Sequence, residues 1–374
     1  MTSSLEKANA TMTTLYAYVG CRTSANHLGK GITVYRTCPV SGKWTLVQLL
    51  SENCLPNPAF LAFDRTRRFL YAVHGDGSDI SAFAVEERTG QLRFLNHQST
   101  GGLNPVHLAI DPTNRFFVVA NYTAGTVAII PRNEEGTLAP PKAVVPLVGM
   151  EGPHKREQDG AHPHYSVFDP SGRFLLIADK GLDQVFVYGY ERTHTSLLAN
   201  TPSSVRCRDG AGPRHIAFHP TMPYVYISNE LDSTITVYRW DSAGGRLAPI
   251  QIVSTAPSTF TVNNRTSHVA VGPLGRCLYA ANRGHDSLVT YAVEENTGML
   301  TTIGWTPTHG QQPRHFAHHP SARFLYVANE RSHSIAMCRV NDVNGELTPS
   351  EIVTSTGSPT CIIFGQWREA VLNV

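Results

Sequence analysis

The 374-residue sequence lacks the apolar run that a membrane-spanning helix requires, because no stretch approaches the roughly 20 apolar residues that cross a bilayer. Residues 1–14 contain Glu6 and Lys7 and have no apolar segment typical of a signal peptide. There is no large excess of charge either, since the net charge is only +2, which argues against nucleic acid or an anionic membrane as a partner. We therefore expect a cytoplasmic protein whose residues 1–13 form a disordered leader.

Paired cysteines and the common catalytic motifs are also absent. The seven cysteines are scattered and include no C-x-x-C pair, which favours reduced thiols over a disulfide framework or a zinc-binding motif. Neither H-E-x-x-H, nor G-x-S-x-G, nor a glycine-rich phosphate loop occurs. No sequence motif therefore supports assigning the protein to the zinc peptidases, the serine hydrolases or the nucleotide-binding proteins. No segment has a clear helical pattern.

What the sequence does contain is a repeated pair of strand-like segments, clearest in residues 212–218 and 224–230. Apolar residues alternate there with small or polar ones, which is the period of a half-buried strand, and two prolines in residues 219–223 mark a turn between them. The repeat spacing, roughly 47 to 58 residues, is typical of propeller blades. The six copies begin at Pro58, Pro105, Pro163, Pro213, Ser267 and Pro313.

A seventh unit is divided between the two ends of the chain. Residues 14–48 resemble the second, third and outer strands of a blade but lack a first strand, and residues 358–365 supply one. Pairing between the two ends closes a ring and removes two open sheet edges. The sequence therefore predicts an all-β fold, a seven-bladed β-propeller with one split blade closed by N- and C-terminal strands, forming a single domain over residues 14–374.

Polar side chains are predicted to converge at one mouth of the propeller channel. The first strand of each blade is innermost, and antiparallel pairing places its start beside the end of the second strand. In this way Arg214 and His215 should lie beside Asn229 and Glu230. The other blades are predicted to add His74, His107, Asn121, Tyr122, His164, Asp179, Lys180, His268, Asn282, Arg283, Arg314, His315, Asn329 and Glu330. Arginines bind carboxylate or phosphate, and Glu or His serves as a general base, so the mouth suits a small anionic substrate and hydrolytic chemistry.

Several of these features have a second interpretation. An asparagine at the end of a second strand, such as Asn229, can simply hydrogen-bond the following turn. His162 and His164 form an H-x-H pair, which is a weak metal signal because alternate residues of a strand point in opposite directions. The polar insertion at residues 148–161 is either a functional loop or an ordinary surface loop.

Three short motifs in the sequence are specific enough to suggest a protein family. They are Gly212-Pro213-Arg214-His215 with Asn229-Glu230, then Asn282-Arg283-Gly284-His285-Asp286-Ser287, and Gln312-Pro313-Arg314. Over residues 14–365 the chain resembles the lactonase family of seven-bladed β-propellers, which includes propeller-type 6-phosphogluconolactonases and fungal carboxy-cis,cis-muconate cyclases. The resemblance implies a site without metal or other cofactor, in which His164, Arg214, Glu230 and Arg283 are catalytic. The expected substrate-binding residues are His107, Arg156, His215, Asn229, Arg314 and Glu330.

The expected function is hydrolysis of a small anionic sugar lactone, with 6-phosphoglucono-δ-lactone of the pentose phosphate pathway as first choice, by a monomer or dimer. Arg214 and Arg283 would hold the anionic group and stabilise the oxyanion. Glu230 or His164 would accept the proton of the attacking water. The alternatives are a muconate-type lactone cyclase or hydrolase, a metal-dependent gluconolactonase-type propeller, and a non-enzymatic binding scaffold, which is disfavoured because no Gly-His…Trp-Asp repeat is present.

Overall fold

The computed structural model describes residues 13–24, 26–51, 56–191 and 196–368, and within these ranges the chain forms strands and no helix. No described segment is a helix long and apolar enough to cross a membrane. Residues 1–12 of the predicted leader lie outside the described ranges, and Thr13 begins the first strand.

In the described part of the chain, twenty-eight strands form seven four-stranded antiparallel sheets, each of which is one blade. The split blade contains β28 (Pro359–Arg368), β1 (Thr13–Cys21), β2 (Gly31–Thr37) and β3 (Trp44–Ser51). Blade 1 contains β4 (Pro58–Phe63), β5 (Phe69–His74), β6 (Asp79–Val85) and β7 (Leu92–Ser99). Blade 2 contains β8 (Pro105–Ile110), β9 (Phe116–Asn121), β10 (Thr126–Pro131) and β11 (Ala143–Pro146). Blade 3 contains β12 (Pro163–Phe168), β13 (Phe174–Asp179), β14 (Gln184–Glu191) and β15 (Ser196–Arg206).

The remaining three blades follow the same order. Blade 4 contains β16 (Pro213–Phe218), β17 (Tyr224–Asn229), β18 (Thr234–Asp241) and β19 (Arg246–Ser254). Blade 5 contains β20 (Arg265–Val271), β21 (Cys277–Arg283), β22 (Ser287–Val293) and β23 (Leu300–Pro307). Blade 6 contains β24 (Pro313–His318), β25 (Phe324–Asn329), β26 (Ser334–Val340) and β27 (Leu347–Ser355).

The seven innermost strands close a ring. Each first strand contacts the first strand of the next blade, from β4 through β8, β12, β16, β20 and β24 to β28, and β28 contacts β4. Within the split blade, β28 pairs with β1 from Thr13–Arg368 to Cys21–Pro359. The predicted seven-bladed propeller, closed by pairing of the two chain ends, is therefore confirmed.

The core lies between the blades because every sheet is covered on both faces by its neighbours. The second strands of blades 1, 2, 3, 4 and 6 are accordingly buried at every residue, as in β9, which reads Phe-Phe-Val-Val-Ala-Asn, a composition rich in strand-forming side chains. The blades are also joined by hydrogen bonds from buried tyrosines to glycine carbonyls of the adjacent blade. The Tyr226 hydroxyl donates to the Gly298 oxygen at 3.0 Å, and the Tyr279 hydroxyl donates to the Gly345 oxygen at 2.7 Å.

Glycine is required at these turns for two reasons. Gly298 and Gly345 have φ values of 66° and 71°, which glycine adopts without the steric cost that other residues bear. In addition, a Cβ at Gly298 would lie 2.3 Å from the ring of Tyr224.

Candidate active site

A recurring β-bulge turns the side chain of one first-strand residue toward the channel mouth. In blade 4, Pro213 pairs with Asn229 and His215 pairs with Ser228, so Arg214 has no partner of its own. The same irregularity leaves His164 unpaired in blade 3 and Arg314 unpaired in blade 6. Bulges of this kind re-aim side chains near functional sites.

The second position that builds the site lies at the end of the second strands, directly after Cys21, Asn121, Asp179, Asn229, Asn282 and Asn329. The Glu230 amide donates to the Gly212 carbonyl at 2.8 Å, and the Lys180 amide donates to the His162 carbonyl at 3.0 Å. These backbone bonds hold the side chains at the mouth. The charged or aromatic residues at this repeated position are Arg22, Tyr122, Lys180, Glu230, Arg283 and Glu330. Five of them, together with His164 and Arg314, line a cavity of about 230 Å³.

Glu230 is the centre of a cationic cluster in this cavity. Its Oε2 atom lies 2.8 Å from both Arg214 Nε and Arg283 Nη2, and its Oε1 atom lies 3.1 Å from Lys180 Nζ and 3.5 Å from Arg265 Nη1. Burial opposes ionisation of Glu230, but the positive charges of Arg283, Lys180 and Arg214 outweigh it and hold its pKa well below the usual range. Glu230 is therefore an ionised carboxylate that keeps the cations together.

Arg214 stays cationic despite its burial. Burial, followed by the charge of Arg283, lowers the pKa of Arg214 to about 9, so the guanidinium is protonated at neutral pH. Arg214 Nε and both Nε and Nη2 of Arg283 are buried and make no well-aligned hydrogen bond with the described residues, although two of them are in ionic contact with Glu230. The ionic contacts with Glu230 thus fix the orientation of both guanidinium groups beside the cavity.

His164 is a neutral imidazole beside this cluster. It is 6% exposed, and burial together with the charge of Arg214 lowers its pKa well below the usual value. Its Nδ1 atom has no hydrogen-bond partner among the described residues. An uncharged imidazole that lines the cavity next to guanidinium groups can accept a proton from a bound molecule.

The insertion reaches the cavity through Glu157 and not through Arg156. Glu157 bridges two cations, with 2.6 Å from its Oε2 atom to Lys180 Nζ and 2.8 Å from its Oε1 atom to Arg265 Nη2. Burial raises the pKa of Glu157, but hydrogen bonds from Arg265 and Lys180 outweigh this effect and bring it to about 2. Arg156, which was expected to bind substrate, is exposed and is not among the residues lining the cavity. Lys180 also donates to the Tyr122 hydroxyl at 3.1 Å.

The opposite wall carries a second ionic network around Glu330. Arg314 Nη1 lies 3.3 Å from Glu330 Oε2, while Arg22 Nη1 and His27 Nε2 lie 3.9 and 3.6 Å from Oε1. Arg22 also pairs with Asp76. Burial raises the pKa of Glu330, but the charges of Arg314 and Arg22 outweigh it and leave the pKa below the usual value. The predicted pair of Arg314 and Glu330 is thus brought together at the mouth.

A ring of imidazole and aromatic side chains lies one level below the cavity. Its members are Phe60, His107, Tyr165, His215, His268 and His315. His215 Nε2 lies 2.9 Å from Arg214 Nη1, and its Nδ1 lies 2.8 Å from His268 Nδ1. Because arginine only donates hydrogen bonds, His215 Nε2 must be the acceptor, and Nδ1–H then donates to His268. His215 therefore supports Arg214 from below.

Two histidines that were expected to bind substrate are thus displaced by the bulge. His107 lies in the lower ring, where its Nδ1 accepts from the Ser166 amide at 3.3 Å, and it is not among the residues lining the mouth cavity. His215 borders only a small extension of about 20 Å³ beneath that cavity. The register predicted from the sequence did not include the bulge. It therefore placed these residues at the channel mouth, whereas they lie in the ring beneath it.

Asn229 is also directed away from the cavity. Its Nδ2 atom donates to Thr234 Oγ1 at 2.8 Å and to Thr236 Oγ1 at 2.9 Å. Asn282 and Asn329, at the same position of blades 5 and 6, donate to backbone carbonyls of Thr255 and Thr308. These asparagines join the blades and turns, which is the structural interpretation left open for them.

The H-x-H pair does not converge on one point. His162 Nδ1 lies 3.0 Å from the Tyr122 carbonyl, and its Nε2 lies 2.9 Å from Asp159 Oδ1, so both ring nitrogens are occupied outside the cavity. His164 faces the cavity instead. Within the described ranges, no three His, Cys, Asp or Glu side chains are grouped in a way that would hold a metal ion.

Four charged residues that line the cavity were missed by the sequence analysis, namely Arg22, Asp76, Glu157 and Arg265. Arg22 occupies the same repeat position as Glu230, so alignment of the split blade with the others would have found it. Arg265 begins β20, the one first strand of blades 1 to 6 that does not begin with proline. No sequence signal distinguishes Glu157 from its charged neighbours in the insertion.

The seven-bladed fold and the charged cavity at the channel mouth can be compared with those of known protein families. The family model described as "Lactonase, 7-bladed beta-propeller" matches residues 16–364. The chain therefore belongs to the lactonase family of seven-bladed β-propellers, as the resemblance in the sequence indicated.

Individual relatives are similar over most of the chain. A 6-phosphogluconolactonase of Bacillus subtilis is 32% identical over 312 residues, which cover 83% of this chain and 88% of the relative. The crystal structure of a putative 6-phosphogluconolactonase from Bacteroides fragilis has a TM-score of 0.86 at 29% identity and covers 94% of this chain and 98% of that chain. The periplasmic gluconolactonase PpgL of Pseudomonas aeruginosa has the same TM-score at 28% identity, covering 94% and 99%.

Proposed function

We propose that the protein hydrolyses a sugar lactone at the channel mouth, with 6-phosphoglucono-δ-lactone as substrate and 6-phosphogluconate as product. The observation that carries this proposal is the cluster of Arg214, Arg283 and Lys180 around Glu230, beside the neutral His164. The names of the relatives from Bacillus subtilis and Bacteroides fragilis support the same reaction.

The charge of the cavity supports an anionic substrate. Five cations and three carboxylates line it, which leaves two positive charges without a counter-charge. A phosphate monoester carries about −1.5 to −2 charges at pH 7. A cavity with this excess attracts a phosphorylated lactone and repels cationic compounds.

In the proposed mechanism, the neutral imidazole of His164 accepts a proton from a water molecule as the water oxygen attacks the lactone carbonyl carbon. The carbonyl oxygen becomes an oxyanion, which the guanidinium groups of Arg214 and Arg283 stabilise. The bond from the carbonyl carbon to the ring oxygen then breaks, and the ring oxygen takes the proton from His164. The products are a free hydroxyl and a carboxylic acid, which releases its proton to solvent and becomes a carboxylate, and the imidazole returns to its neutral form.

Glu230 is assigned an organising role and not that of the base. It is in contact with three arginines and a lysine, and its pKa is held well below the usual range. A carboxylate of such low basicity is a poor proton acceptor at neutral pH. His164 has no ionic partner, and the negative charge of a bound substrate would raise its pKa toward neutrality.

The pH dependence of kcat/KM tests the ionisation of the proposed base, because this ratio reports on the free enzyme. Only neutral His164 can accept a proton, and its pKa is depressed, so the active form persists below the pH at which an ordinary histidine becomes charged. We expect kcat/KM, corrected for spontaneous hydrolysis, to stay constant from about pH 8 to about pH 6.5. A loss of half the activity near pH 6.5 would show instead a base with an unshifted pKa.

Chelation separates this mechanism from that of a metal-dependent gluconolactonase-type propeller. The carboxylates of Glu157, Glu230 and Glu330 are already bound by arginine or lysine side chains. We therefore expect full activity after dialysis against EDTA, measured as the initial rate of ring opening. Inactivation that is reversed by adding back a divalent cation would contradict the proposal.

The substrate is tested by proton release from freshly prepared 6-phosphoglucono-δ-lactone, with unphosphorylated glucono-δ-lactone and a muconolactone measured in parallel. We expect the highest kcat/KM with the phosphorylated lactone. A preference for glucono-δ-lactone would match the name of the Pseudomonas aeruginosa relative, and a preference for muconolactone would assign the site to aromatic catabolism. Rates equal to the enzyme-free blank for all three lactones would favour a non-enzymatic scaffold.

A cytoplasmic location is part of the proposal. The cysteines that the structure describes are free thiols, and five of the six are buried, as expected of a protein in a reducing compartment. Cys54 lies outside the described residues.

A further inference from the structure

We propose that Arg265 and Lys180 form the subsite for the phosphate group of the substrate, and that Glu157 occupies this subsite until the phosphate displaces it. This inference rests on the proposed function and adds the orientation of the substrate in the cavity. None of these three residues belongs to the catalytic set expected from the family resemblance.

The two ionic networks at the mouth, which include Arg214 and Glu330 in addition to the residues that line the cavity, differ in net charge. On the wall formed by blades 3, 4 and 5, four cations face two carboxylates, whereas on the wall formed by the split blade and blades 1 and 6, two cations face two carboxylates. The first wall contains Lys180, Arg214, Arg265, Arg283, Glu157 and Glu230. The second contains Arg22, Arg314, Asp76 and Glu330. A dianionic phosphate is therefore attracted to the wall that contains Arg265.

The cations of that wall differ in depth. The Arg214 side chain is 3% exposed, the Arg283 side chain is 10% exposed, and the Arg265 side chain is 31% exposed. Arg214 and His164 border the deep extension of the cavity, whereas Arg265 lines only its outer part. The carbonyl carbon and the carbon that bears the CH2–O–phosphate arm are both bonded to the ring oxygen of the lactone. The phosphate projects from the ring on this arm, so a lactone whose carbonyl lies next to His164 can extend its phosphate to Arg265 at the rim.

Glu157 shows that the two cations already converge on one anionic group. Its two carboxylate oxygens lie 2.6 Å from Lys180 Nζ and 2.8 Å from Arg265 Nη2. A phosphate presents oxygen acceptors to the same donors and carries a larger negative charge than a carboxylate. Both donors are therefore oriented for a phosphate before it binds, which lowers the cost of ordering them.

The insertion allows this exchange without unfolding. Gln158 is 1% exposed, and its side chain donates to the Lys180 carbonyl at 2.9 Å and accepts from the His154 amide at 3.0 Å. The neighbouring Glu157 side chain is 24% exposed. The backbone thus stays fixed at Gln158 while the side chain of Glu157 turns toward solvent.

The test compares Arg265→Gln with wild type on phosphorylated and unphosphorylated glucono-δ-lactone. Loss of a charge-assisted bond should raise KM for the phosphorylated lactone by about 10- to 100-fold relative to the change for the unphosphorylated one. Arg265→Lys, which keeps the charge, should recover part of this difference. Arg208→Gln is the matched control, because Arg208 forms an ion pair with Asp232 and is not among the residues lining the cavity.

An equal rise in KM for both lactones would overturn the subsite and leave the proposed function intact. Calorimetric binding of 6-phosphogluconate and gluconate tests the subsite even if no lactone is hydrolysed, which would overturn the proposed function alone. We expect wild type to prefer 6-phosphogluconate and Arg265→Gln to lose about 10-fold or more of that preference. Equal affinity of wild type for both compounds would also overturn the subsite.

Discussion

Replacing His164 by asparagine is expected to lower kcat for the lactone by about 10²- to 10⁴-fold, the usual contribution of general acid–base catalysis. The amide of asparagine is polar and fits the space of the imidazole but cannot accept the proton of the attacking water. KM should change little, because the arginines that bind the anionic substrate remain. Initial rates of proton release with purified, folded variant measure both quantities.

His162→Asn is the matched control for this prediction. His162 belongs to the same H-x-H sequence, but its ring nitrogens face Asp159 and the Tyr122 carbonyl and not the cavity. We expect it to retain a wild-type pH profile, whereas any residual activity of His164→Asn should lose its acid limb. Turnover by His164→Asn within a few-fold of wild type would remove His164 from the role of base.

Replacing Glu230 by glutamine is expected to lower kcat by about 10²-fold or more and also to destabilise the fold. Arg214, Arg283 and Lys180 would then face each other without their shared counter-charge in a site where Glu230 is 4% exposed. Removal of one partner from a buried ionic group costs about 3–5 kcal/mol. Rates of lactone opening and urea denaturation measure the two effects.

Asp232→Asn provides the comparison, since Asp232 pairs with Arg208 and does not line the cavity; its losses of kcat and stability should be small. The pH profile of Glu230→Gln distinguishes the two roles considered for Glu230. If Glu230 organises the cations, residual activity keeps the acid limb that His164 produces. If that limb disappears while His164→Asn keeps it, Glu230 is the base and the assignment is reversed.

The fold was predictable because its information is local and repeated. Segments such as Tyr224–Asn229 have the composition and period of a strand, and the same pair of strands recurs at a spacing typical of blades. Residues 14–48 also lack a first strand, and residues 358–365 form an extra one. Pairing the two completes a blade and closes the ring without leaving an open sheet edge. In the structure this is the pairing of β1 with β28.

The site was only partly predictable, because its details depend on backbone irregularities. Antiparallel pairing correctly predicted that Arg214 lies beside Glu230 and that Arg314 lies beside Glu330. A one-residue bulge, however, has no clear sequence signature, and it separates Arg214 at the mouth from His215 beneath it. The backbone path of the insertion likewise determines that Glu157, and not Arg156, lines the cavity. The insertion has no strand periodicity from which this path could be predicted.

The central claim is that the cavity at the channel mouth hydrolyses a phosphorylated lactone. The most direct measurement follows ring opening of 6-phosphoglucono-δ-lactone by NMR, which resolves lactone from product, with wild type, His164→Asn and no protein. We expect a rate proportional to the concentration of the wild-type protein, and a rate close to the blank with His164→Asn. A wild-type rate equal to the blank, or an undiminished rate with His164→Asn, would contradict it.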